Sequence, residues 1–135
     1  TSKQEEVIIY AHEKSELVKR IENLVNSFDS LLMGYKDSQA IALTIQEVFC
    51  FTVVEGKVFA ITEKEKLLIR LRLYQLEERY GDTFVKINQS CLANLRHIQK
   101  IEASIGGSLR AIFKNGYVDY ISRRQQKEVK ARLGH

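Results

Sequence analysis

From Leu31 onward the apolar residues fall on every second position rather than every third or fourth, and this period commits the chain to a mainly β fold. Leu31 to Lys36 and Ala40 to Ile45 flank the turn-forming Asp37-Ser38-Gln39. Val48 to Val54 and Val58 to Thr62 flank Glu55-Gly56-Lys57, and Leu67 to Leu71 continues the extended pattern. A helix interrupts next: Leu73, Leu76 and Tyr80 share a face, Gln75, Glu78 and Arg79 point away, and Gly81 stands where a left-handed C-cap is expected. Phe84, Val85 and Ile87 predict a short strand, Asn88-Gln89-Ser90 a polar break, Cys91 to Leu95 a helical turn or two, and Ile98 to Ile101 another strand. Ile105 to Lys114 and Tyr117 to Ile121 meet at Asn115-Gly116, which suits a two-residue type I′ turn. That turn sets Phe113 opposite Val118 and Ala111 opposite Tyr120 on an apolar face, with Ile112, Lys114, Tyr117 and Asp119 on the other. Arg123 to Leu133 predicts a last helix with Ser122-x-x-Gln125 as its capping box and Val129 and Leu133 as its seam.

Before Leu31 the pattern differs. Val7-Ile8-Ile9-Tyr10 predicts a strand within Glu6 to Ala11, and Leu17, Val18, Ile21, Leu24, Val25 and Phe28 form one helical stripe with Ser15 placed to cap it. The opposite face, Lys19, Arg20, Glu22, Asn23 and Asn26, is polar. The stripe therefore packs on a sheet or on a second copy of the chain. At 135 residues and 44% hydrophobic content, one domain with its own core plus an extension is expected. Residues 1–30 form the β-α extension, a candidate dimerisation element, and residues 31–135 the domain. No apolar run approaches the roughly 20 residues of a bilayer span, and no charged n-region followed by an apolar h-region opens the sequence, so secretion is not expected. Cys50 and Cys91 sit in apolar segments and read as buried thiols in a reducing, cytoplasmic setting.

Charge is unevenly divided. Residues 1–82 hold 11 Lys and Arg against 14 Asp and Glu, whereas residues 83–135 hold 10 against 3, a net −3 and +7. A cationic half attracts polyanions, of which nucleic acid is the commonest in a cytoplasm. Phosphate loops, nucleophile elbows and zinc-ligand spacings are missing from the sequence, so no catalytic residue, metal, cofactor or small-molecule substrate is expected. Cys91 and His97 could pair as nucleophile and base, but no orienting Asp or Asn is placed beside them by any pattern. The more informative features are polar. Asn and Gln amides match the major-groove edge of adenine and Arg that of guanine, which draws attention to Asn88 and Gln89. Arg123 and Arg124 occupy a first helical turn, where cations oppose the macrodipole and a bound phosphate would offset the cost. A solvated Arg pair and an idle polar loop remain the plainer accounts.

Several spaced motifs together resemble the LytTR DNA-binding domain of bacterial transcription regulators. Glu47-Val48-Phe49-Cys50-Phe51 is similar to the acidic residue and strand before the family's first long loop, and Leu71 to Glu78 to the helix before its core. Phe84-Val85-Lys86-Ile87-Asn88-Gln89-Ser90-Cys91-Leu92-Ala93-Asn94-Leu95 is similar to its most specific string, with Asn115-Gly116 and Ile121-Ser122-Arg123 following in order. Thr52 departs from a usual acidic residue and Gln125 from a usual aromatic, which puts the packing of the last helix in doubt.

The resemblance implies small stacked antiparallel sheets with short helices, whose loops enter successive major grooves of duplex DNA. By position, Asn88, Gln89, Arg123 and Lys57 would approach bases, Lys86, Ser90 and Arg124 would contact phosphates, and Asn94 would be structural. Many relatives carry a receiver domain in front, which 30 residues cannot hold, so a stand-alone regulator, compatible with a homodimer, is expected. The competing expectation is a β-rich protein-interaction module that works through the Leu17 to Phe28 face.

Overall fold

The computed structural model of the chain describes residues 16–25, 28 and 30–134. The expected strand at Glu6 to Ala11 and the Ser15 cap lie outside them. Helix α1 covers residues 16–25. Five strands follow: β1 (Leu31–Lys36), β2 (Gln39–Thr44), β3 (Cys50–Val54), β4 (Lys57–Ile61) and β5 (Lys66–Ile69), with a 3-10 turn at Ile45–Glu47. Helix α2 (Leu73–Tyr80) leads to β6 (Phe84–Asn88) and β7 (Cys91–Asn94). A 3-10 turn at Leu95–His97 precedes β8 (Ile98–Ala103), β9 (Leu109–Phe113), β10 (Val118–Ile121) and helix α3 (Arg123–Arg132). All pairings are antiparallel and make two sheets, one of seven strands in the order β2-β1-β5-β4-β3-β7-β6 and one of three in the order β10-β9-β8.

The two-residue period explains how one sheet serves two cores, because neighbouring side chains on a strand leave on opposite faces. Phe51, Ala60, Phe84 and Leu92 point to one side, where they pack with Leu76 and Tyr80 of α2. Cys50, Ile61, Val85, Cys91 and Ala93 point to the other, where they meet Ala111 and Phe113 of the small sheet and Val129 of α3. The large sheet is thus sandwiched between a helix and a second sheet with its own helix.

Four local expectations are corrected. Cys91 to Asn94 is a strand, because Cys91, Leu92 and Ala93 pair with β3, Thr52↔Cys91 through Cys50↔Ala93, and are buried on both faces. A short apolar run of this kind does not distinguish a buried strand from a helical turn by period alone. Gly81 is right-handed, at φ −61°. Ser122 makes no side-chain cap to α3. The hairpin at Asn115-Gly116 has a three-residue loop: Phe113 N–H donates to Tyr117 O at 2.8 Å and Gly116 N–H to Phe113 O at 2.9 Å, with Gly116 at φ 88°. Asn115 fixes this form by accepting from Tyr117 N–H at 3.0 Å and donating to Thr62 O at 3.0 Å. The register slips by one, to Ile112↔Val118 and Ala111↔Asp119, and reverses the faces of β10. Val118 and Tyr120 are consequently exposed, and Asp119 turns inward.

In α1, Val25 is buried and Val18 half-buried, but Leu17, Ile21 and Leu24 are 57%, 42% and 61% exposed, and Phe28, in a bend after the helix, is 52% exposed. Most of the stripe therefore lies outside the core. Glu22 and Arg70 form a 3.8 Å ion pair beside Tyr35, whose ring lies under the Arg70 guanidinium at 4.0 Å. Burial and the neighbouring Glu22 carboxylate push the Tyr35 phenol up to about 12.

Candidate nucleic-acid interface

Three polar elements gather at one end of the large sheet. β3 runs from Cys50 up to Val54 and returns as β4 from Lys57, opposite Val54, so Lys57 marks that end. β7 starts beside Thr52, and Val53 N–H donates to Ser90 O at 2.8 Å, which sets the Gln89-Ser90 turn against the top of β3. The expected polar break is therefore the tight turn of a β6–β7 hairpin, and both of its residues are exposed. The start of α3 joins them because Ser122 N–H donates to Ile87 O at 2.8 Å.

That last bond depends on a bulge. β6 pairs Lys86↔Leu92 and then Asn88↔Cys91, leaving Ile87 as an extra residue without a partner on β7. Phe84 packs with the α2 core and Val85 and Ile87 with the opposite one, so strict alternation would send Asn88 toward α2. The bulge turns it to β10 instead. Asn88 Nδ2 donates to Asp119 Oδ1 at 3.0 Å and to Tyr120 O at 2.8 Å, and its Oδ1 accepts from Ser90 N–H at 2.8 Å. Both amide hydrogens are used and the residue is 1% exposed. Asn88 is thus a structural residue and has no free edge for a base, a correction of its expected role.

The other expected contact residues are placed as follows. Gln89, Ser90, Lys57, Arg123 and Arg124 are exposed on the three elements just described. Arg123 donates through Nη2 to the Gly106 carbonyl in the loop between β8 and β9. Gly107 permits this approach: a Cβ there would lie 3.1 Å from Arg123 Nη2, and its φ of 87° disfavours any side chain. Lys86 is half-buried on the edge strand β6, opposite Leu92, on the sheet face that α2 covers. Lys86 and the α3 arginines therefore belong to different faces. Asn94 is structural as expected, donating to Val48 O at 3.2 Å and accepting from Arg96 N–H at 3.1 Å.

Two of the basic residues are already paired. Glu102 lies 3.1 Å from Lys100 and 2.7 Å from Arg110, whose hydrogen bonds and charges hold its carboxyl below the usual range. Sequence reasoning missed Asp119 and Gly106. No local signal marks either, since Asp119 faces inward only because of the hairpin slip. The Cys91 and His97 pairing dissolves: Cys91 is fully buried, and a hydrogen bond with Cys50 together with burial pushes its thiol well up, away from the reactive thiolate. His97 stacks on Phe49 at 4.2 Å, with Nε2 2.6 Å from Gln46 O. Among the described residues no His, Cys, Asp and Glu cluster could hold a metal ion, and no helix is long and apolar enough to cross a membrane.

Stacked antiparallel sheets that offer polar and cationic turns at one end define a β-rich domain built to present loops. Residues 38–134 match the family model described as the LytTr DNA-binding domain. The chain belongs to that family. It is 34% identical over 127 residues to an uncharacterized HTH-type transcriptional regulator of Staphylococcus aureus (strain NCTC 8325 / PS 47), covering 93% of this chain and 86% of the relative. A similarly described protein of the bovine strain RF122 / ET3-1 is 35% identical over the same coverage. The fold also matches the LytTr DNA-binding domain of a putative methyl-accepting/DNA response regulator from Bacillus cereus. That match has a TM-score of 0.73 at 18% identity and covers 78% of this chain and 98% of the other. Strands separate each helix of this chain from the next, so the described residues hold no helix-turn-helix.

Proposed function

We propose that the protein is a bacterial transcription regulator that reads duplex DNA with the end of the large sheet where the β3–β4 turn, the β6–β7 turn and the start of α3 meet. The convergence of these three elements, distant in sequence, carries the reading. In it, Gln89 and Lys57 approach base edges in successive major grooves, and Arg123 does so while anchored to the β8–β9 loop through one of its five donors. Ser90 and Arg124 bind phosphates beside them, and Lys86 does so from the other face of β6. Such a protein acts in the cytoplasm, where bacterial DNA lies. Selection of binding sites from random duplexes, followed by titration at several salt concentrations, tests the reading. Arg123→Ala should reduce the preference for the selected site. Lys86→Ala should weaken selected and random duplexes alike and lower the salt slope by about 1. Equal losses on both duplexes for Arg123→Ala would remove it as a reader, and an absence of duplex affinity at low salt would refute the whole proposal.

The exposed face of α1 favours a second role for the extension of residues 1–30. Leu17, Ile21 and Leu24 follow the 4-3 spacing of a helix-pairing seam, and the exposed Phe28 follows four residues further along the chain. A second copy of the chain would bury this seam, and the resulting homodimer would suit two half-sites on DNA. Sedimentation of the full chain should show a dimer that Ile21→Asp dissociates. A monomer that instead captures another protein through this face would favour the interaction-module reading.

A further inference from the structure

We propose that Asn88, which is buried, and its half-buried partner Asp119 are positioning residues that fix the β6–β7 turn and the start of α3 in one relative placement, and that discrimination between DNA sequences depends on this bracket. The inference rests on the DNA-binding reading above and deepens it.

The two reading elements belong to different sheets, β6–β7 to the large one and β10–α3 to the small one. Gln89 directly follows Asn88, and Arg123 lies four residues after Asp119. Between them the Asn88 amide spans the sheets with two hydrogen bonds, at 3.0 Å to Asp119 Oδ1 and 2.8 Å to Tyr120 O, and holds its own turn with a third, at 2.8 Å from Ser90 N–H. Asp119 is itself oriented, because the same Oδ1 accepts from Tyr120 N–H at 2.8 Å. The bond from Ser122 N–H to Ile87 O is a second, backbone link. A hydrogen bond to a charged group is stronger and more directional than a neutral one, so the carboxylate contributes both energy and geometry. Its charge has the wrong sign for a surface that binds phosphates and would weaken every duplex equally. A carboxylate at this place is therefore useful for holding the amide and costly for everything else.

The experiment compares the wild-type chain with Asp119→Ala and Asp119→Asn, by fluorescence anisotropy on a selected duplex and on a random duplex at fixed salt. Asp119→Ala should lower the ratio of selected to random affinity about tenfold, the scale of one lost base contact, without weakening random binding. Asp119→Asn keeps an oxygen that accepts from Asn88 and Tyr120, so it should hold the ratio within about twofold while random binding rises. A ratio unchanged in Asp119→Ala, or lost as fully in Asp119→Asn, would overturn the bracket while leaving the DNA-binding reading intact. A wild type with no preference would overturn both. Amide exchange gives a readout independent of DNA: Ser90 N–H should exchange faster in Asp119→Ala while Phe51 N–H in the core does not. Unchanged protection at Ser90 would also overturn the bracket.

Discussion

The Asn88 site allows an isosteric test of how much a buried amide contributes. Asn88→Asp replaces Nδ2 by a carboxylate oxygen of the same size, 3.0 Å from Asp119 Oδ1 and 2.8 Å from the Tyr120 carbonyl, at a residue 1% exposed. Two carboxylates at that separation cannot both ionise, so the pair holds a shared proton well above the ordinary carboxylate range. The folded-state value of the pair is raised. The variant should therefore come closest to wild-type stability below the unfolded value of about 3.9, where its one O–H replaces one of the two amide donors, and lose stability as pH rises toward the folded value. Each unit costs about 1.36 kcal/mol, so a shared proton retained to pH 7 destabilises by about 4 kcal/mol. Against a typical total of about 5–15 kcal/mol this is a large share. Urea unfolding of both proteins from pH 4.5 to 7.5 measures the difference directly. Two parallel stability curves, with no widening gap as pH rises, would refute the hydrogen-bond assignment at Asn88.

Other outcomes follow from packing. A Cβ on Gly34 would lie 2.9 Å from Leu67 Cβ and 3.2 Å from Leu43 Cδ1, so Gly34→Ala should cost about 1–3 kcal/mol by overcrowding the β1–β5 contact, read as a lower urea midpoint. Cys50 and Cys91 are fully buried, so a maleimide should label neither in the native protein at pH 7 and both in urea; rapid native labelling would contradict their burial.

How far the chain could be read from its sequence depended on the range of the interactions involved. Strands β1 to β5 and helix α2 follow from period and turn chemistry, which act within a few residues, and they stand within a residue or two of their expected bounds. Cys91 to Asn94 did not, because burial on both faces erases the alternation that marks a strand. The Asn115-Gly116 turn was placed correctly, yet its loop length was decided by a bond from Asn115 to Thr62, 53 residues away. That single slip moved Asp119 from the outer face to the inner one and exposed Tyr120. Asn88 shows the same limit at the candidate interface. Its residue type fits a base reader, but a bulge at Ile87 sends it into the protein, and no local pattern announces a bulge.

The β3–β7 pairing also has a kinetic meaning. Hairpins β1–β2, β3–β4, β6–β7 and β9–β10 each close through short loops, whereas Cys50↔Ala93, Phe51↔Leu92 and Thr52↔Cys91 join positions about forty apart. Closing such a loop spends chain entropy before any contact repays it, so this seam is the natural slow step of folding. Leu92→Ala, at the middle of the seam, should slow refolding more than it speeds unfolding, and the reverse in stopped-flow measurements would place the slow step elsewhere. Because Ser90 is bound to Val53 at the top of the same seam, the turn proposed to read DNA takes its final shape only once the slowest pairing is complete. A chain caught before that point would hold formed hairpins and no recognition surface.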